Sequence, residues 1–159
     1  MKITILCVGK VKEKYFTGAI EEYAKRLSRY CKLDIVEVAD EKTPDGASTA
    51  LEEQIKQKEG ERLLKYIPED AYVCVLAIEG KQLTSEQLSE KIGELGVRGV
   101  SHIVFIIGGS LGLWESVVKK ADFLLSFSKM TFPHQLIRVF LLEQLFRAFK
   151  ISNNETYHW

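Results

Sequence analysis

The stretch FIIGGSLGL, Phe105 to Leu113, decides the fold. An apolar run stops at Gly108-Gly109, and a third glycine, Gly112, follows. A short apolar run bounded by glycine reads as a buried strand. The loop after it is almost bare backbone and opens a short helix. Such a loop can cradle a ligand with main-chain groups. It can equally be a tight turn that needs positive φ, which glycine alone adopts freely. The pattern is not the G-x-x-x-x-G-K-[ST] of a P-loop. It is not G-x-G-x-x-G either, and it follows the fourth strand, whereas that fingerprint belongs after the first.

Working outward, the flanking segments alternate. Lys2 to Val8 reads as a first strand and not as a signal peptide, because no small-residue cleavage pattern follows it. Phe16, Ile20, Tyr23, Ala24 and Leu27 recur at helical spacing within Lys14 to Arg29. Leu33 to Val38 is a second strand, and the turn-rich Ala39 to Ser48 is a loop. A charged helix runs to about Tyr66, and Pro68 helps to end it. Tyr72 to Ile78 is an apolar strand. Thr84 and Gln87 form a capping box for the next helix. His102 to Ile107 is the fourth strand, Phe123 to Phe127 the fifth. Pro133 sits in the first turn of a last helix that runs to about Lys150. Strands alternating with helices imply an α/β domain: one parallel sheet covered by helices on both faces. No linker or repeat divides residues 1–159, so a single domain is expected, with its ligand site beyond the carboxyl ends of the strands.

Composition excludes several classes. Hydrophobic residues make up 46% and charged residues 28%, the balance of a soluble globular protein. No apolar run reaches the roughly 20 residues of a membrane span. The three cysteines are odd in number and lack C-x-x-C spacing, so reduced thiols in a cytoplasmic protein are expected, without a disulfide framework or a metal site. The formal net charge is zero, which argues against gripping nucleic acid by bulk charge. Local basic density remains at Lys10, Lys12, Lys14, Lys25, Arg26 and Arg29. Each alone reads as a solvated side chain. Together they form the best phosphate-contact surface in the chain.

Two further strand ends change the weight of the glycine loop. LAIEGK, Leu76 to Lys81, ends the third strand in Glu-Gly. SFSKMTFPH, Ser126 to His134, mixes small, apolar and polar groups where a connector would be simply polar. A segment of that kind packs into a site. IIGGSLGL, LSFSKMTFPHQLIRVFLLEQLFRA and the terminal Tyr157-His158 closely resemble the bacterial RlmH (YbeA-type) family. Its members are SPOUT-class, S-adenosylmethionine-dependent methyltransferases of ribosomal RNA. The resemblance spans the whole chain. It implies a C-terminal trefoil knot, a homodimer, and methylation of N3 of a pseudouridine in 23S rRNA within the ribosome. It further implies S-adenosyl-L-methionine held by Leu76, Gly108, Phe127, Ser128, Lys129, Met130, Thr131 and Phe132. A side chain at Gly108 is expected to occupy the volume of the cofactor.

Methyl transfer to an imide nitrogen needs in-line positioning. It also gains from a base or a stabiliser of the developing anion. The candidates are His134, Arg138, Tyr157 and His158. His134 starts a helix, where the dipole disfavours an imidazolium, and a packing role is its plain alternative. Arg138, one turn on, is otherwise a surface or dimer salt bridge. Trp159 stands where the family more usually has a basic residue. The rings of Tyr157, His158 and Trp159 either meet the substrate or merely dock the tail. Leu136, Val139, Phe140 and Leu142 to Phe146 set apolar groups around much of the last helix, as a dimer contact would require. Two rival functions stand beside the methyltransferase: a non-catalytic nucleotide- or RNA-binding module, and a SPOUT enzyme with another RNA target.

Overall fold

Apolar runs flanked by turn residues become strands because both of their faces are buried. In β1 (Lys2–Val8), Ile3, Ile5 and Cys7 enter one core cluster, and Leu6 and Val8 enter another on the opposite side of the sheet. That two-sided burial explains why the strand shows no polar alternation. The computed structural model describes residues 1–157. His158 and Trp159, both singled out above, lie outside the described residues.

The remaining elements are α1 (Lys14–Leu27), β2 (Lys32–Val38), α2 (Thr49–Leu64), β3 (Tyr72–Gln82), α3 (Ser85–Val97), β4 (His102–Ile107), α4 (Glu115–Val118), β5 (Phe123–Ser126) and α5 (His134–Ser152). The five strands form one parallel sheet in the order β2-β1-β4-β3-β5. α1 and α3 pack against α5 on one face. Leu27, Leu88, Ile92, Leu141, Leu142 and Leu145 build the core there. α2 and α4 cover the other face, where Leu63 and Val117 are fully buried. Helices therefore flank both faces, as the alternation of elements requires. The edge strand β2 carries Lys32, Asp34 and Glu37, charges that blunt an open sheet edge. The capping box at Thr84 and Gln87 forms with both of its hydrogen bonds. His102 sits at the amino end of the sheet, 2.8 Å from Thr4 Oγ1.

β3 departs from the sequence reading. It runs to Gln82, four residues beyond the expected Ile78, and its pairing with β5 is interrupted. Leu76 and Lys81 both register against Leu125, so the chain from 77 to 80 leaves the ladder and returns. That excursion brings Gly80 against the β5 backbone. A Cβ on Gly80 would lie 2.7 Å from the carbonyl carbon and oxygen of Leu124. Only glycine permits so close an approach of two main chains. Pattern along one segment cannot report it, because its cause lies some 45 residues away in the chain.

Candidate functional site

A parallel sheet brings the carboxyl ends of its strands to one edge, and the loops that follow gather there. A cavity of about 380 Å³ opens at that edge. Its walls come from the ends of β3, β4 and β5, from the glycine loop, from the segment after β5, and from the first turn of α5. The volume falls within the range of about 300–1,000 Å³ typical of small-molecule sites.

The glycine loop closes on itself. Gly109 and Gly112 form an isolated antiparallel bridge, with Gly112 N–H donating to the Gly109 carbonyl at 3.1 Å. Of the three glycines only Gly112 takes a positive φ, +86°. Gly108 has a further reason to be glycine. A Cβ placed on it would lie 2.9 Å from Leu113 Cγ and 3.1 Å from the Gly112 carbonyl carbon. The loop's own packing therefore disfavours a side chain there, at a position that also lines the cavity.

The segment after β5 is folded by two serines. Ser126 Oγ donates to the Ser128 carbonyl at 3.0 Å, and Met130 N–H donates to Ser128 Oγ at 3.0 Å. Such local side-chain bonds replace a regular ladder and turn the backbone toward the cavity. Leu76, Gly108, Phe127, Ser128, Met130, Thr131 and Phe132 all line the wall, and so does His134. Lys129 does not: it is exposed and absent from the lining. Sequence reasoning missed Ile78, Glu79, Leu113 and Ile137. Glu79 is the one carboxylate of the wall, and the Glu-Gly end of β3 was its only signal.

His134 is half-buried, and its imidazole titrates below the usual histidine value. Burial is the largest cause and the charge of Arg138 the next, while Asp40 and Glu13 pull the other way. A neutral ring facing a ligand cavity can accept a proton near neutral pH.

Arg138 lies outside this cavity. Its guanidinium is only 2% exposed. Nη1 donates to Glu37 Oε2 at 2.6 Å, and Nη2 donates to the carbonyls of Val8 and Gly9 at 3.0 and 2.8 Å. It ties α5 to the carboxyl ends of β1 and β2. The spacing that put His134 and Arg138 on one helix face holds, yet one side chain lines the cavity and the other grips the sheet.

Tyr157 is also outside the cavity wall. Its hydroxyl donates to Glu143 Oε1 at 3.0 Å, its ring meets Phe146 edge-on at 5.3 Å, and the Arg147 guanidinium lies 4.3 Å from the ring centre. Burial, then the Glu143 bond, pushes its phenol up to about 12.

The residues present fit S-adenosyl-L-methionine. The wall combines apolar groups for a ring system, a glycine-rich backbone for close polar contact, and one carboxylate. Among the described residues no cluster of His, Cys, Asp or Glu could hold a metal ion. None of the helices is long and apolar enough to cross a membrane.

Residues 1–158 match a family described as "Predicted SPOUT methyltransferase". A ribosomal RNA large subunit methyltransferase H of Bifidobacterium adolescentis is 69% identical over 158 residues, covering 99% of both chains. The protein of the same name from Clostridium novyi is 60% identical, again covering 99% of each. Among solved structures, a probable methylase family protein from Haemophilus influenzae superposes with a TM-score of 0.54, covering 99% of this chain and 70% of that one. At 14% identity that likeness bears on the fold alone.

Proposed function

The chain belongs to the SPOUT methyltransferase family, and from that premise we propose that it methylates N3 of a pseudouridine in 23S rRNA, with S-adenosyl-L-methionine as donor. The observation that carries this reading is the full-length similarity, at 69% identity, to a ribosomal RNA large subunit methyltransferase H. Bound S-adenosyl-L-methionine supplies an electrophilic methyl group. All other work falls on the chain.

Leu76, Phe127 and Phe132 give apolar contact, and the backbone of 108–112 and 126–131 gives polar contact and orientation. Lys129 stays at the rim. His134, kept neutral by burial, accepts the imide proton as the nucleophile forms. Arg138 supports this from behind: its charge lowers the proton affinity of His134, and its three bonds hold the loop after β1. Tyr157 keeps its proton, so it acts as a hydrogen-bond donor and a dock for the tail. His158 is the candidate proton relay and Trp159 a candidate for contact with the target base; both lie outside the described residues.

A homodimer belongs to this reading. Met130 and Ile78, both on the cavity wall, are 73% and 48% exposed, and Phe140 beside Phe132 is 39% exposed. Apolar rims of this kind mark contact surfaces. A trefoil knot belongs to it too, as the family resemblance implies. A net charge of zero leaves little non-specific RNA affinity, so the assembled ribosome is the substrate and the cytoplasm the location.

The test is transfer from methyl-labelled S-adenosyl-L-methionine to ribosomes lacking the modification, read by nucleoside mass spectrometry. Label on a 23S rRNA pseudouridine, with much slower transfer to a naked stem-loop, is the expected result. Label on another RNA or on no RNA overturns it. Deleting 157–159 is expected to abolish transfer and leave cofactor binding intact, while sedimentation is expected to give a dimer.

A further inference from the structure

Chain ends fray unless something holds them. The described residues after α5 are held in two ways, and both lie just before Tyr157. The helix α5 stops in a Schellman motif: Asn154 N–H donates to Ile151 O at 3.1 Å and Glu155 N–H to Lys150 O at 2.9 Å. Asn154 takes the left-handed conformation at φ +54°, which asparagine tolerates better than most residues. This sets the direction in which the backbone leaves the helix.

The second hold is a side chain. The Glu155 carboxylate accepts from the Tyr30 hydroxyl, 2.9 and 3.0 Å from its two oxygens, and pairs with Lys150 Nζ at 3.0 Å. Lys150 first, then Tyr30, holds that carboxyl below its ordinary range. Tyr30 is itself fixed. Its ring stacks on Phe149 with centroids 5.6 Å apart and planes 5° from parallel, and a second contact to Phe146 lies at 6.0 Å. A residue in the turn between α1 and β2 therefore grips a residue 125 positions away. Charge-assisted bonds to a preformed acceptor are the stronger class of hydrogen bond. Tyr157 comes two residues later, already docked on Glu143 and Phe146.

We propose that Glu155, gripped by Tyr30 and Lys150, is the positioning residue that sets the C-terminal tail for methyl transfer. The inference rests on the reading that the tail takes part in the reaction. Glu155 touches neither substrate nor cofactor in this role. It lowers the number of directions in which the last residues can search, so its loss slows the chemical step.

The experiment compares Tyr30→Phe, Glu155→Gln, their double variant and deletion of 157–159 in the full-length protein. Tyr30→Phe keeps the stack on Phe149 and removes only the hydroxyl. Each single variant is expected to lower kcat on ribosomes on the order of tenfold, with calorimetric affinity for S-adenosyl-L-methionine and KM for ribosomes unchanged. The double variant is expected to lose less than the two single losses combined, because both weaken the Tyr30–Glu155 bond, while Glu155→Gln also removes the ion pair with Lys150. Hydrogen exchange in the peptide 150–159 is expected to speed up in all three. Full kcat in both single variants, with the deletion inactive, overturns the positioning role and leaves the catalytic tail standing. Unchanged exchange in Tyr30→Phe overturns the clamp itself. An active deletion variant removes the tail from the reaction and takes this inference with it.

Discussion

The cavity at the strand ends and the seam between α1 and α5 are built by opposite means. The cavity wall mixes apolar side chains, glycine backbone and polar groups such as Glu79 and His134, and its loops fold on their own hydrogen bonds: Gly112 to Gly109, Ser126 and Met130 to Ser128. The seam rests on an apolar core of Leu27, Leu141, Leu142 and Leu145, and the polar bonds that lock it have partners far away in sequence: Arg138 with Glu37, Tyr30 with Glu155. At the seam polar side chains are consumed in holding α5 and the sheet together. At the cavity Glu79 and His134 line the open space, and the loop bonds close within a few residues, so the site's shape is set locally.

That contrast can be broken most directly at Arg138. Arg138→Met takes away the charged partner of the Glu37 carboxylate, which keeps the Val11 N–H, and the guanidinium donor of two strand-end carbonyls. Removing one partner of a buried pair costs about 3–5 kcal/mol; Glu37 is partly solvated, so the lower end is expected, read as a loss in urea denaturation. A loss under about 1 kcal/mol would mean that the seam is not held as described. Gly80→Ala comes next. Its Cβ would meet a main-chain carbonyl at 2.7 Å, where neither partner can rotate away. Overpacking of this kind costs about 1–3 kcal/mol, and a normal melting temperature would show that the contact with β5 is looser than the structure has it.

Gly108→Val sharpens the other side of the comparison. The added group meets Leu113 and Gly112, so the loop must shift. Loss of S-adenosyl-L-methionine binding is expected in a folded protein that is less stable by about 1–2 kcal/mol. Unchanged calorimetric affinity in a folded variant would take this loop out of the site.

The smallest effect is electrostatic. The folded protein lowers the proton affinity of both His134 and His102. The unfolded chain thus binds more protons below about pH 6.5, and stability falls as the pH drops through that value. His134→Gln is expected to flatten part of that slope, by less than about 1 kcal/mol, with the remainder left to His102. If His134 is the base, the acid limb of kcat lies below the ordinary histidine value and vanishes in the variant.

Much of the frame was legible in the residues. The apolar strand runs, the capping box at Thr84 and Gln87 and the helical spacing of α1 are local patterns, and each appears where it was expected. Most of the wall was legible too, through the resemblance carried by IIGGSLGL and SFSKMTFPH. That the Lys129 side chain is exposed beside the wall was not legible, because an irregular loop has no fixed period to tell which side chain turns inward. Glu79 and Ile137 were missed because their place in the wall comes from neighbours in space.

The sequence by itself determined the element order, the parallel sheet with both faces covered, and the family. These follow from periodicity and motif, which are properties of neighbouring residues. The tertiary structure alone decided that Gly80 lies against the β5 backbone, that Arg138 is spent on strand ends while His134 four residues earlier faces the cavity, and that Tyr30 holds Glu155. Each is a contact between segments far apart in the chain. Its energy arises only when the fold removes water from both partners, and no local pattern records which partners will meet.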